Sequence, residues 1–106
     1  MQWLIIARDG SDPGAKERRL AHRQAHLEHA ARRQAAGHFL IGGALLDEAG
    51  SMIGSAAVVQ FETRAALDAW LQSDPYVTGG VWQDIQVMPY RVAPHYDVPA
   101  CPEEER

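Results

Sequence analysis

Residues 2 to 8 place apolar side chains on both faces of an extended segment: Trp3, Ile5 and Ala7 on one side, Leu4 and Ile6 on the other. A strand of that kind belongs in the middle of a sheet that is covered on each face. The chain has 106 residues, enough for one domain with one core and too few for two. The covers for both faces must therefore come from a small number of helices or from outside the chain.

The rest of the sequence supplies two such helices. Arg8-Asp9-Gly10-Ser11-Asp12-Pro13-Gly14 is dense in turn formers and reads as a loop. Residues 15 to 36 are rich in Ala, Arg, Glu and Gln and read as a long helix, with Gly37 as its stop. Leu20, Gln24, Leu27 and Ala31 form a narrow stripe at helical spacing, expected to face the core. At about 100° per residue, His22, His29 and Arg33 then lie nearly opposite, and His26 lies near the edge of the stripe. Residues 38 to 46 read as a second strand, interrupted by Gly42-Gly43, a pair expected at a bulge or a close backbone approach. A polar turn, Asp47-Glu48-Ala49-Gly50-Ser51, joins it to a third strand from Met52 to Phe61, making a hairpin. Thr63 is suited to cap a second helix, whose Ala66, Leu67, Trp70 and Leu71 share one face. Asp74-Pro75 ends that helix, because the residue before proline is pushed out of the helical region. Asp is also a good N-cap with Pro after it, so Asp74 is expected to cap a short turn. Residues 81 to 92 read as a fourth strand, with Trp82, Gln86, Met88 and Tyr90 set against Ile85 and Val87.

The order β-α-β-β-α-β is the ferredoxin-like split βαβ arrangement, an α+β fold with an antiparallel sheet and both helices on one face. The other sheet face is apolar and has no helix left to cover it. A second copy of the chain is the natural cover, so a homodimer joined through its sheet faces is expected. Residues 1–93 make the domain. Residues 94–106 make a Pro-rich acidic tail, expected to be extended or disordered.

Composition excludes several function classes. The formal net charge is −4, which gives no electrostatic case for a nucleic-acid partner. Lys16, Arg18, Arg19, Arg23, Arg32 and Arg33 cluster on the long helix and are expected on a solvated face. The longest early apolar run, Trp3 to Ala7, is far short of the roughly 20 residues a membrane span needs. Cys101 is the only cysteine, cannot form an internal disulfide, and fits a cytoplasmic setting.

Two constellations carry chemistry. His22, His26 and His29 stand at i, i+4 and i+7 on one helix. Two imidazoles at that spacing can share a metal, but the helix lacks the HExxH pattern and two of the three histidines are expected to face solvent, so no metal and no cofactor are expected. The second constellation pairs His26 with Asp74. In a split βαβ fold the two helices lie side by side and their facing ends can meet. A carboxylate that accepts from one imidazole nitrogen fixes the tautomer and leaves the other nitrogen as a general base. A structural reading of the same pair is a cap plus a tie between helices.

The chain resembles the YciI-like family, built on the YCII-related domain. The likeness rests on Arg23-Gln24-Ala25-His26-Leu27, Gly42-Gly43, Phe61, Ser73-Asp74-Pro75-Tyr76, Gly79-Gly80-Val81 and Val87-Met88-Pro89-Tyr90, and covers about residues 2 to 92. The resemblance implies a dimeric α+β-barrel assembly with a His–Asp pair in a pocket. By position the pair is His26 and Asp74, with Arg23 and Tyr76 beside it as substrate-binding residues. A branch similar in fold removes chloride from chlorinated hydroxyquinols, and related dimeric barrels include muconolactone isomerases. What this implies is a small cofactor-free enzyme that moves protons on a small cyclic or phenolic metabolite. The alternative is a ligand-binding or accessory module on the same dimer and pocket, without turnover.

Overall fold

The computed structural model describes residues 1–103, so the last part of the acidic tail, Glu104-Glu105-Arg106, lies outside the described residues. The elements are β1 (Gln2–Asp9), α1 (Ala15–Ala35), β2 (Phe39–Leu46), β3 (Met52–Gln60), α2 (Arg64–Ser73), α3 (Pro75–Thr78) and β4 (Trp82–Tyr90). All pairings in the four-stranded sheet are antiparallel, in the order β2-β3-β1-β4. The fold is ferredoxin-like α+β, with β1 central as its two apolar faces require. The one element beyond the expected six is α3, a single turn grown from the Asp74-Pro75 punctuation.

Local chemistry explains the boundaries. Thr63 caps α2, its hydroxyl accepting from the Ala66 amide at 3.1 Å. Gly37 follows α1 with φ +90°, a left-handed conformation that favours glycine. Asp74 closes α2 in an extended conformation and caps α3, with Pro75 in the first helical turn.

The core lies between the helices and one face of the sheet. Trp3, Ile5 and Ala7 of β1 and Ala57 and Val59 of β3 pack against Phe61, Leu67, Trp70 and Leu71. Leu67 and Val59 are fully buried. The opposite sheet face carries Leu4, Ile6, Ile41, Val58 and Met88, of which Ile41 and Met88 are exposed. No helix among the described residues is long and apolar enough to cross a membrane.

Three expectations are corrected. The buried face of α1 is not its leucine stripe: Leu20 and Leu27 are exposed, whereas Ala15 and Arg19 are buried and His22, His26, His29 and Arg33 are partly covered. On the inward face His26 meets Asp74 and His29 meets Ser73, while His22 bonds the Arg18 carbonyl of its own helix. Arg19, expected on a solvated surface, is 4% exposed because Asp9 receives its charge. Trp82 joins the core side rather than the side of Met88, because the β1–β4 register shifts at Arg8/Asp9 and turns the start of β4 over.

The glycine pair of β2 is also resolved in detail. The bulges lie at Phe39/Ile41 and Leu45/Leu46, and the close approach at Gly42 is made by the Phe39 ring, not by backbone. The tightest backbone approach is at Gly54 of β3, where an added Cβ would stand 2.4 Å from the Ala7 carbonyl oxygen. That neighbour is main chain in the central strand and cannot swing away. Gly54→Ala is therefore expected to cost about 1–3 kcal/mol as local overpacking, read as a lower urea midpoint with an unchanged m-value.

Candidate functional site

Helix α1 runs beside α3 and the edge strand β2, and a cleft of about 490 Å³ opens between α1 and the β2–β3 hairpin. That is the size of a pocket for a small ligand. Arg19, Arg23, His26 and Leu27 line it from the helix, with Tyr76 and Trp82 also in its lining. The leucine stripe of α1 thus meets the cleft at Leu27 instead of the core.

His26 and Asp74, 48 residues apart, are joined by a 2.8 Å contact between Nδ1 and Oδ1. Asp74 is wholly buried, while the His26 side chain keeps 12% of its exposure. A carboxylate only accepts, so Nδ1 carries the hydrogen and Nε2 carries the lone pair. Nε2 has no hydrogen-bond partner among the described residues. The same Oδ1 accepts from the Tyr76 amide at 2.9 Å, which is the cap of α3. Asp74 thus acts as both cap and histidine partner through a single oxygen.

Tyr76 stacks on the imidazole of His26, with ring centroids 3.9 Å apart and planes 11° apart. Trp82 meets His26 edge-on at 5.5 Å. Burial pushes the Tyr76 phenol above its ordinary pKa, opposed by the cations Arg19 and Arg23. Arg23 is exposed at the cleft, and no ion pair involves it among the described residues. All four residues singled out from the sequence therefore line or support one cleft: His26, Arg23 and Tyr76 in its lining, Asp74 directly behind His26.

Sequence reasoning missed the network below them. Arg19 Nη1 donates to both carboxylate oxygens of Asp9 at 3.0 Å, and Nη2 donates to Ser55 Oγ at 3.0 Å. The Trp82 indole also donates to Ser55 Oγ at 3.2 Å. The Arg19 guanidinium sits 4.8 Å from the Tyr76 ring centre, within cation–π range. A positive charge, a phenol, an imidazole and a carboxylate are thereby linked in sequence. The available signal was the spacing Arg19, His22, His26, His29, Arg33, a polar stripe at intervals of three and four.

The three histidines of α1 go to separate partners. His22 Nδ1 donates to the Arg18 carbonyl at 2.8 Å, and its ring lies against Gly79, where any Cβ would collide with it. His26 goes to Asp74 and His29 Nε2 to Ser73 Oγ at 3.0 Å.

A ferredoxin-like α+β domain with a histidine–aspartate pair at a cleft defines the class of protein. The model of the YCII-related domain matches residues 1–91, and the chain belongs to that family. It is 37% identical over 97 residues to an uncharacterised protein of Haemophilus influenzae, covering 86% of this chain and 97% of that one. It is 33% identical over 97 residues to the protein YciI of Escherichia coli, with the same coverage of 86% and 97%. Among solved structures it is similar to 5-chloro-2-hydroxyhydroquinone dehydrochlorinase of Burkholderia phenoliruptrix in complex with 2,5-dihydroxybenzoquinone. That match has a TM-score of 0.76 and 24% identity, and covers 92% of this chain and all of the other. This likeness shows the shared fold.

Proposed function

We propose that the chain is a small acid/base enzyme that needs no cofactor and acts on a small cyclic or phenolic metabolite. The observation that carries this is the His26–Asp74 contact of 2.8 Å at the wall of a cleft of ligand size. Nε2 of His26 takes a proton from a ring carbon or hydroxyl of the substrate. Asp74 stabilises the imidazolium that results and keeps the ring from turning. The proton then returns to another carbon or to the leaving group, giving isomerisation or elimination. Arg23 holds the anionic or phenolic oxygen at the mouth of the cleft, and Tyr76 supports the imidazole from its stacked face. The small-ring ligand named for the dehydrochlorinase structure supports the substrate class. The working unit is a homodimer joined through the sheet face of Leu4, Ile6, Ile41, Val58 and Met88, whose apolar side chains have no cover from the chain's own helices.

Titration calorimetry with 2,5-dihydroxybenzoquinone tests the reading. His26→Ala is expected to weaken binding about tenfold, the equivalent of one lost hydrogen bond to a charged partner. Equal affinity in wild type and variant, with no turnover of any hydroxyquinol by wild type, would remove His26 from the function. Binding that depends on His26 without turnover would mark a ligand-binding module instead.

A further inference from the structure

Asp74 has a second carboxylate oxygen, and it is idle. Oδ2 is buried without a hydrogen bond, and 3.5 Å from it stands Nδ1 of His29, also buried and also without one. The hydrogens explain the stand-off. Ser73 Oγ lies 2.6 Å from the Trp70 carbonyl oxygen, a separation that places the hydroxyl hydrogen between the two oxygens. Having no other hydrogen, Ser73 Oγ only accepts from His29 Nε2 at 3.0 Å. Nε2 therefore bears the ring hydrogen of neutral His29, and Nδ1 bears a lone pair. A lone pair faces a carboxylate oxygen across a gap that a single proton would bridge.

We propose that His29 is a proton-operated positioning residue for the catalytic pair. A proton taken from solvent at Nδ1 forms an N–H that donates to Asp74 Oδ2. Asp74 is then shared between two imidazole rings, and its hold on His26 weakens. With His29 neutral, the carboxylate is committed to His26 and to the cap. This deepens the acid/base reading of the same site and rests on it for its catalytic meaning.

The surroundings set where the switch lies. On its own helix His29 faces Arg32, Arg33 and His26; from α2 it meets Ser73 and the Trp70 ring, 6.0 Å away and parallel; from the turn it meets Asp74. Burial lowers its pKa, Asp74 opposes that shift, and the two arginines and His26 reinforce it. The proton therefore arrives on the acid side of the ordinary value of 6.5. The unfolded chain takes up this proton first, so His29 contributes stability above about pH 6.5 that is lost as the pH falls through and below that value.

Nitrogen-resolved NMR of the imidazoles in the full chain, from about pH 8 to about pH 5, tests the proposal. At high pH His29 is expected in the Nε2–H tautomer. On acidification Nδ1 gains a proton and the ring signals of His26 move in the same step. In His29→Gln that step disappears from the His26 signals, and the acid-side fall in the thermal midpoint becomes shallower. An Nδ1–H tautomer at high pH overturns the proposal, and this observation needs no variant. A His26 titration identical in wild type and His29→Gln also overturns it. If either occurs while His26→Ala still loses 2,5-dihydroxybenzoquinone, the switch fails and the acid/base reading stands. If His26→Ala binds as wild type does, the reading fails and the switch falls with it.

Discussion

Asp74→Asn is expected to keep the fold and lose the chemistry. The Asn oxygen can still accept from the Tyr76 amide and from His26 Nδ1, so the cap of α3 survives. Its NH₂ group, standing where Oδ2 was, points at the bare Nδ1 of His29 and can donate to it. The unfolding midpoint near neutral pH should therefore be at or above that of wild type. The missing charge leaves protonated His26 without its counterion, and the proton-transfer step should slow by about 10²–10⁴-fold, the range of general acid–base contributions. Asp74→Ala separates the structural share. It removes the cap, about 1 kcal/mol, and leaves a partly buried imidazole N–H unpaired, about 1–3 kcal/mol more. Urea unfolding of the two variants beside a turnover assay distinguishes the roles. Full activity in a stably folded Asp74→Asn would reduce Asp74 to a helix cap.

The largest effect on stability is expected at Arg19. Its side chain and that of Asp9 are each 5% exposed, and Nη1 alone reaches both carboxylate oxygens. Arg19→Met leaves Asp9 buried without its counterion, a loss of about 3–5 kcal/mol. Because the pair as a whole is worth far less than either orphan costs, Asp9→Leu combined with Arg19→Met should recover most of the loss. The double-mutant cycle in urea measures that coupling. A single-variant cost below about 1 kcal/mol would mean that water reaches Asp9 when the arginine is gone. Arg19→Met should also disturb the site, since the guanidinium lies over Tyr76 and shares Ser55 with Trp82.

These two positions also mark how far the sequence could be read. Element order, the Thr63 cap, the Gly37 stop and the Asp74-Pro75 break all follow from backbone preferences local to a few residues. The meeting of His26 and Asp74 follows from the fold, although not at facing helix ends: the chain leaving α2 turns at Asp74 into α3, which packs beside the middle of α1. The inward face of α1 does not follow from local rules. Counting leucines weighs only the transfer of apolar surface. Here the face is decided by Arg19 finding Asp9 at the far end of β1 and by His26 and His29 finding oxygen partners. Nothing near Arg19 distinguishes it from Arg18 or Arg23, since its partner is distant until the sheet forms. The side taken by Trp82 was hidden for a related reason: a register shift in β4 breaks the strict alternation that a strand pattern assumes. His29 was assigned to solvent by the same helical arithmetic that misplaced the leucines.

A single oxygen, Asp74 Oδ1, terminates both the first amide of α3 and the imidazole of His26. The orientation of the imidazole is thus fixed by the same event that nucleates a turn of backbone. No separate rotamer search remains when a ligand arrives, because the entropy of ordering the ring was lost when the chain folded. A ligand that pulls His26 away breaks its bond to Oδ1, while the Tyr76 amide keeps the turn in place to receive the ring again.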